Sequence, residues 1–258
     1  MLTTVKRLFV PAVNYWGARK ETRHFDYPPL LIGGCGRSGT TILLSIVSAH
    51  PALFTIPEEL GMFNRAVESD DGHIVPGRID RLYRYILFNR IPSSCRFWCE
   101  KTPRNVLYLD KIDRYFGGRF KFIHIIRDAR DVVLSQHPSE PERYWVSPER
   151  WVRDVSAGLE YDEHPSVLTL YYENLILEFE STVNKICQFL NIPVTEEILN
   201  WYKHTQVKQS RAYYEKVEQL FQKSIGKWKQ EKHRERVKDV LGYVPAKELL
   251  ERLGYLQS

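Results

Sequence analysis

At 258 residues, 43% of them hydrophobic and 27% charged, the chain is long enough for one large domain, and its composition excludes a disordered or fibrous protein. Its net charge of +5, from 37 basic and 32 acidic residues, suits an anionic ligand and does not by itself call for nucleic acid. No window approaches the roughly 18 apolar residues of a membrane span. No targeting segment is legible, and Cys35, Cys95, Cys99 and Cys187 form neither a CxxC pair nor a zinc-spaced cluster, so reduced thiols, a cytoplasmic location and no metal are expected.

Residues 1–27 read as a basic N-terminal arm or partial helix, in which Lys6, Arg7, Arg19, Lys20 and Arg23 outnumber Glu21 and Asp26; residues 28–258 read as a single domain. Pro28-Pro29 ends the arm. Leu30-Leu31-Ile32 then reads as a short buried strand, followed by a glycine-rich turn and a helix from Thr40 to His50 that Pro51 stops. Between 57 and 98 only the turn signals at Asp70-Asp71-Gly72 and Val75-Pro76-Gly77 and a helical piece at Ile79–Asn89 are legible. A helix is expected over Asn105–Phe116, closed by Gly117-Gly118, then a strand over Lys121–Ile126 and a helix over Ala129–Gln136. Ser147-Pro148 signals the start of another helix, with Trp151, Val152, Val155 and Leu159 on one face. Val167–Tyr171 reads as a strand. Helices follow around Val183–Leu190, from a Thr195 N-cap to His204, and over Pro245–Leu253. His124, inside a strand, reads as a satisfied core histidine, and His50 as a cap interaction at a helix end.

The strongest local signal is Gly34-Cys-Gly-Arg-Ser-Gly-Thr-Thr41 between a buried strand and a helix. Such a turn aims several backbone N–H groups and the positive end of a helix at one point, and its small residues let a phosphate approach the backbone. Gly34 and Gly39 have the spacing of a nucleoside-triphosphate loop, but Thr40 stands where that loop has lysine, and no strand-terminal aspartate offers itself to Mg²⁺. The turn therefore reads as phosphate-binding without being an ATPase loop.

Arg37-Ser38-Gly39-Thr40-Thr41 after a buried strand resembles the 5′-phosphosulfate loop of the sulfotransferases. A second signature of that family is Arg127 after the strand KFIHII with Ser135 eight residues on. The resemblance implies an enzyme with a P-loop-type three-layer α/β fold, a central parallel sheet flanked by helices, and 3′-phosphoadenosine-5′-phosphosulfate (PAPS) as donor, with PAP as product. It implies that Gly36, Arg37, Ser38, Gly39, Thr40 and Thr41 hold the 5′ end of the donor and that Arg127 and Ser135 hold its 3′-phosphate. Weaker matches extend it across residues 30–229. Glu100-Lys101-Thr102-Pro103 resembles a segment carrying a catalytic lysine or neighbouring base. Tyr172-Glu173-Asn174-Leu175 resembles one whose tyrosine lies near adenine. Ser224-Ile-Gly226-Lys227-Trp228 resembles a C-terminal segment that closes over the nucleotide.

The arginine in the loop and the EKTP form look most like the carbohydrate and protein-tyrosine branches. There a glutamate in the region of Pro57-Glu58-Glu59-Leu60 is the general base, and a gapped alignment favours Glu59 over Glu58. The tyrosine enzymes carry an arginine two residues beyond the base; here Gly61 stands there, or Leu60 if Glu58 is the base, so a carbohydrate hydroxyl is favoured as acceptor, with an amine also open. On this reading Arg37 and Lys101 stabilise charge on the sulfuryl group. The alternatives are a small-molecule kinase using ATP and a non-enzymatic module for polyanions. The oligomeric state is open.

Overall fold

The computed structural model describes residues 9–137, 139–207 and 222–256; Lys6 and Arg7 of the expected arm lie outside them. In chain order the elements are α1 (Val10–His24), β1 (Leu30–Gly33), α2 (Thr40–Val47), β2 (Leu53–Ile56), β3 (Val67–Glu68), β4 (Ile74–Val75), α3 (Ile79–Phe88), β5 (Phe97–Lys101), α4 (Leu109–Phe116) and β6 (Lys121–Ile126). There follow α5 (Ala129–Val132), β7 (Gln136–His137), β8 (Glu140–Tyr144), α6 (Pro148–Leu159), β9 (Val167–Tyr171), α7 (Tyr172–Leu177), α8 (Phe179–Leu190), α9 (Glu196–Leu199), α10 (Trp201–His204), α11 (Arg234–Gly242) and α12 (Val244–Arg252).

Five strands form one all-parallel sheet in the order β2-β5-β1-β6-β9. Strands covered on both faces need apolar residues at successive positions, which is why Leu30-Leu31-Ile32 and Phe122-Ile123 are uninterrupted. Leu30 and Ile32 pack with Leu43 and Ile46 of α2 and Ile186 of α8. Leu31 packs on the opposite side with Phe54, Trp98 and Phe122, beneath α1, α3 and α4. A third apolar cluster joins Ile126 to α5, α6, α11 and α12 through Val132, Trp151, Val240 and Leu250. From β1 the chain goes to one side for β2 and β5 and to the other for β6 and β9. The carboxyl ends of β1, β5, β6 and β9 therefore border the crevice where open α/β sheets bind ligands.

The expected P-loop-type three-layer architecture is present, with several local corrections. β2 and β5 were not legible. The expected basic arm is, from Val10 on, a helix packed on α3: Gly17 abuts Tyr83, the Lys20 ammonium takes the Ile86 and Asn89 carbonyls at 2.6 and 3.1 Å, and Glu21 accepts from the Trp98 indole at 2.6 Å. The helix expected over Asn105–Phe116 is a 3₁₀ segment, Pro103–Tyr108, leading into α4, and the one expected to reach Gln136 stops at Val132, where the chain turns into the β7–β8 hairpin. Thr195 makes no side-chain cap, and the helix expected through His204 divides into α9 and α10. Ser147 does cap α6, its hydroxyl accepting from the Arg150 N–H. His50 braces a loop, with Nε2 2.9 Å from the Pro193 carbonyl and Nδ1 accepting from the Ala52 N–H. His124 is buried as expected but not satisfied: neither ring nitrogen has a partner among the described residues.

Candidate active site

β1 runs directly into the glycine turn. Gly34 (φ 149°), Arg37 (φ 73°) and Gly39 (φ 93°) all have positive φ, which glycine adopts freely and arginine only under constraint. The turn is also walled in. A Cβ on Gly34 would lie 2.4 Å from the Ile125 carbonyl oxygen, and one on Gly39 2.3 Å from the Tyr172 ring. Ser38, Thr40 and Thr41 are buried at the start of α2. A Cβ on Gly36 would lie 3.2 Å from Arg150 Nη2, so a second guanidinium, which sequence reasoning missed, stands beside the turn.

Arg127 follows β6 and joins three of the expected site residues. Its Nη1 donates to the Arg37 carbonyl (3.2 Å) and its Nη2 to the Ser224 carbonyl (2.6 Å), and its guanidinium lies 4.3 Å from the centroid of the Tyr172 ring. The Tyr172 and Ser224 hydroxyls share a 2.6 Å hydrogen bond. Within this cluster Ser38 Oγ and Arg127 Nε are buried without a hydrogen-bond partner among the described residues. Buried donors left over beside a glycine cradle and a helix N-terminus fit an anionic, phosphate-bearing ligand. Ser135 lies beyond the end of α5 and its carbonyl accepts from the Trp145 N–H; no hydrogen bond among the described residues joins it to Arg127.

The segment Gly226-Lys227-Trp228 is held by a residue that was not expected at the site. The buried Asp131 carboxylate accepts the Gly226 N–H through Oδ2 (2.7 Å) and the Trp228 N–H through Oδ1 (3.1 Å). Burial pushes this carboxyl above the usual range, while Arg127 and the two N–H groups pull it back. Arg130 lies 3.7 Å from the Trp228 ring centroid and is fork-bonded to Asp128, with Nε–Oδ1 at 2.9 Å and Nη2–Oδ2 at 2.7 Å. Lys227 itself is exposed. In the sequence Asp131 shows only as part of a run of two acids and two arginines after a strand, which is equally the composition of a surface charge network.

On the other side of the crevice the structure brings Glu59 and Lys101 together: Lys101 Nζ donates to Glu59 Oε1 at 2.5 Å. The lysine is 4% exposed at the end of β5 and the glutamate 47% exposed, so the pair presents its carboxylate outward. Glu58 instead lines a cavity of about 460 Å³ with Ile56, Leu60, Arg81, Arg84, Tyr85 and Asn89. The Gly34 N–H donates to the Pro103 carbonyl (2.9 Å), which ties the glycine turn to the segment following Lys101.

Beneath the pair, Glu100 is wholly buried. Its Oε1 accepts from the Leu60 N–H (2.9 Å) and the Thr102 hydroxyl, and its Oε2 from Asn105 Nδ2 (2.8 Å). Thr102 Oγ1 in turn accepts from the Gly61 N–H (3.1 Å). Desolvation raises the Glu100 carboxyl, opposed by these donors and by Lys101.

The Sulfotransferase family model matches residues 78–196. Protein-tyrosine sulfotransferase 1 of Danio rerio is 26% identical over 203 residues, covering 68% of this chain and 56% of that protein. The chain thus spans little more than half the length of that relative. Among solved structures, the sulfotransferase domain of the Synechococcus PCC 7002 olefin synthase superposes with a TM-score of 0.59 at 17% identity, covering 85% of this chain and 96% of that one. Mouse sulfotransferase SULT7A1 complexed with PAP gives 0.52 at 16% identity, covering 90% and 91%.

Proposed function

We propose that this chain is a sulfotransferase that transfers a sulfuryl group from PAPS to a hydroxyl of an anionic acceptor, a reading its similarity to the sulfotransferase family supports. The observation that carries this reading is the Glu59–Lys101 pair at the carboxyl edge of the sheet, tied through Pro103 to the glycine turn. When bound, PAPS supplies an activated sulfuryl group with PAP as leaving group. Gly36, Arg37, Ser38, Gly39, Thr40 and Thr41 hold its 5′ end. Arg127 and Ser135 serve the 3′-phosphate, Tyr172 the adenine, and Ser224, Gly226, Lys227 and Trp228 the cover over it.

In this arrangement Glu59 removes the acceptor's hydroxyl proton as its oxygen attacks. Lys101 keeps the carboxylate oriented and, with Arg37, faces the charge that gathers on the sulfuryl oxygens. The cavity beside Glu58 gives the acceptor its seat. The charge of Arg81, then desolvation, then the charge of Arg65 lower the Arg78 pKa from its ordinary value. Of these, Arg81 lines the cavity together with Arg84 and Glu58, two cations to one acid, which favours an acceptor that brings negative charge. The names of the relatives make protein tyrosines the first acceptors to test, and the cationic cavity wall makes acidic peptides the form to test them in. Gly61, in place of the tyrosine enzymes' arginine, keeps uronate-bearing or sulfated carbohydrate as the second.

The test is transfer of radiolabelled sulfate by wild type, Glu59→Gln and Glu58→Gln to both acceptor classes. General-base loss costs about 10²–10⁴-fold in turnover, and is expected for Glu59→Gln with PAP affinity held within a few-fold. Glu58→Gln should keep turnover and alter KM. A dead Glu58→Gln beside an active Glu59→Gln reverses the assignment, and no PAPS-dependent transfer by wild type to either class removes the reading.

A further inference from the structure

Glu100 has no task in the reaction just described, yet it is a wholly buried acid that accepts three hydrogen bonds. A carboxylate at 0% exposure, in the register position opposite Ile56 in the neighbouring strand, is costly to fold unless every donor around it is placed. Here the donors are placed, and they belong to the catalytic segments. The Leu60 N–H, immediately after Glu59, donates to Glu100 Oε1 at 2.9 Å. The next amide, Gly61, donates to Thr102 Oγ1 at 3.1 Å, and the Thr102 hydroxyl donates its own proton to the same Glu100 oxygen. The second oxygen takes Asn105 Nδ2 at 2.8 Å, within the 3₁₀ segment that begins at Pro103, whose carbonyl receives the Gly34 N–H.

We propose that Glu100, acting with Thr102, is the positioning residue that fixes the Glu59 carboxylate relative to the phosphate loop; the inference rests on the sulfuryl-transfer reading above. The two backbone bonds at Leu60 and Gly61 stop the chain from lifting away from β5. They set where Glu59 meets Lys101, the neighbour of Glu100 on the opposite face of the same strand. The Asn105 bond refers that position to the segment which anchors Gly34. Base and donor cradle are thereby built from one origin, the end of β5. A catalytic group displaced by about 1 Å loses about 10²-fold in rate, whereas the contacts of Arg127 and Asp131, on the 3′-phosphate and cover side of the nucleotide, do not pass through Glu100.

The experiment compares Glu100→Gln, Thr102→Val and Thr102→Ser with wild type and with Ile186→Ala. The last is a core substitution in α8 that lowers stability without touching the site. PAP affinity, thermal midpoint, kcat and acceptor KM are measured on folded enzyme for each. Glu100→Gln and Thr102→Val are expected to lose about 10- to 100-fold in kcat with PAP affinity within a few-fold. Thr102→Ser should restore kcat, because it keeps the hydroxyl, and Ile186→Ala should lower the midpoint alone. If Glu100→Gln fails to fold, the Thr102 pair carries the same comparison. Glu100→Gln and Thr102→Val that keep wild-type kcat, or that lose it only in step with their stability as Ile186→Ala does, overturn the positioning role alone. A wild-type chain with no PAPS-dependent transfer overturns the function and this role together.

Discussion

Replacing Asp131 by asparagine tests the nucleotide side of the site without touching any group assigned to the ligand. The carboxylate accepts two backbone N–H groups, Gly226 at 2.7 Å and Trp228 at 3.1 Å. An amide of the same shape can accept only one of them and turns its own N–H₂ toward the other. One charge-assisted bond is lost and a donor is set against a donor, so the loss is about 1.5–3 kcal/mol. If the segment from Ser224 to Lys229 must keep this shape to cover the ligand, that loss falls on binding. PAP affinity then drops about 10- to 100-fold. Calorimetric titration of PAP into wild type and Asp131→Asn reads it directly, with a thermal midpoint of each ligand-free protein to show how much of the loss is global. An Asp131→Asn protein that binds PAP within about 2-fold of wild type would refute the reasoning: the clasp would then be a feature of the fold with no bearing on the nucleotide.

Two further outcomes follow from the buried polar groups. Arg127→Ala is expected to weaken PAP about 10- to 100-fold and adenosine-5′-phosphosulfate less, because the guanidinium also joins the Arg37 and Ser224 carbonyls; equal losses in a titration of both ligands would leave it only that structural role. His124 is held neutral by burial, its pKa lowered to about 4 from 6.5. The unfolded chain therefore takes up the proton first as pH falls. The stability this represents is intact above about pH 6.5 and is lost on the way down to about pH 4, with about 2 kcal/mol gone by pH ~5. Urea denaturation at pH ~7.5 and ~5 should show that slope in wild type and not in His124→Leu; an equal slope in both would assign the acid sensitivity to other groups.

The parts of the fold that could be read in advance are those whose residues obey one demand. KFIHII is apolar because both faces are covered, and its strand was legible for that reason. Phe97–Lys101 meets two demands at once. It is a central strand, but it ends in Glu100 and Lys101, which are buried by virtue of partners far along the chain, so its composition conceals it. The helix expected to run to Gln136 failed similarly. Ala129, Val132 and Val133 satisfy a helical pattern, but a single turn suffices to bury them against Trp151 and Val240. At the site, the glycine turn announced itself through backbone requirements, and Arg127 through its resemblance, with Ser135 eight residues on, to a family signature. Asp131 and Glu100 did not, because a carboxylate that accepts main-chain N–H groups leaves no pattern in the residues it binds. The choice between Glu58 and Glu59 rested on a gapped alignment; what the sequence did not show is that Glu59 pairs with Lys101 while Glu58 lines the neighbouring cavity.

The strand order has a consequence for how the chain comes to be folded at all. β1 is complete at Gly33, but both strands that flank it, β5 and β6, begin only at Phe97 and Lys121. During synthesis this apolar strand therefore emerges before both of its neighbours and waits, unpaired on both edges, until β5 and β6 have been made. Such long-range closure is slow, and exposed strand edges are what invites self-association meanwhile. The glycine turn grows out of that same waiting strand, so its walls, which include Ile125 and Tyr172, close around it only after β6 and β9 are in place. A refolding chain should accordingly recover ligand binding in one step with its β-structure, and should do so best when dilute and cool.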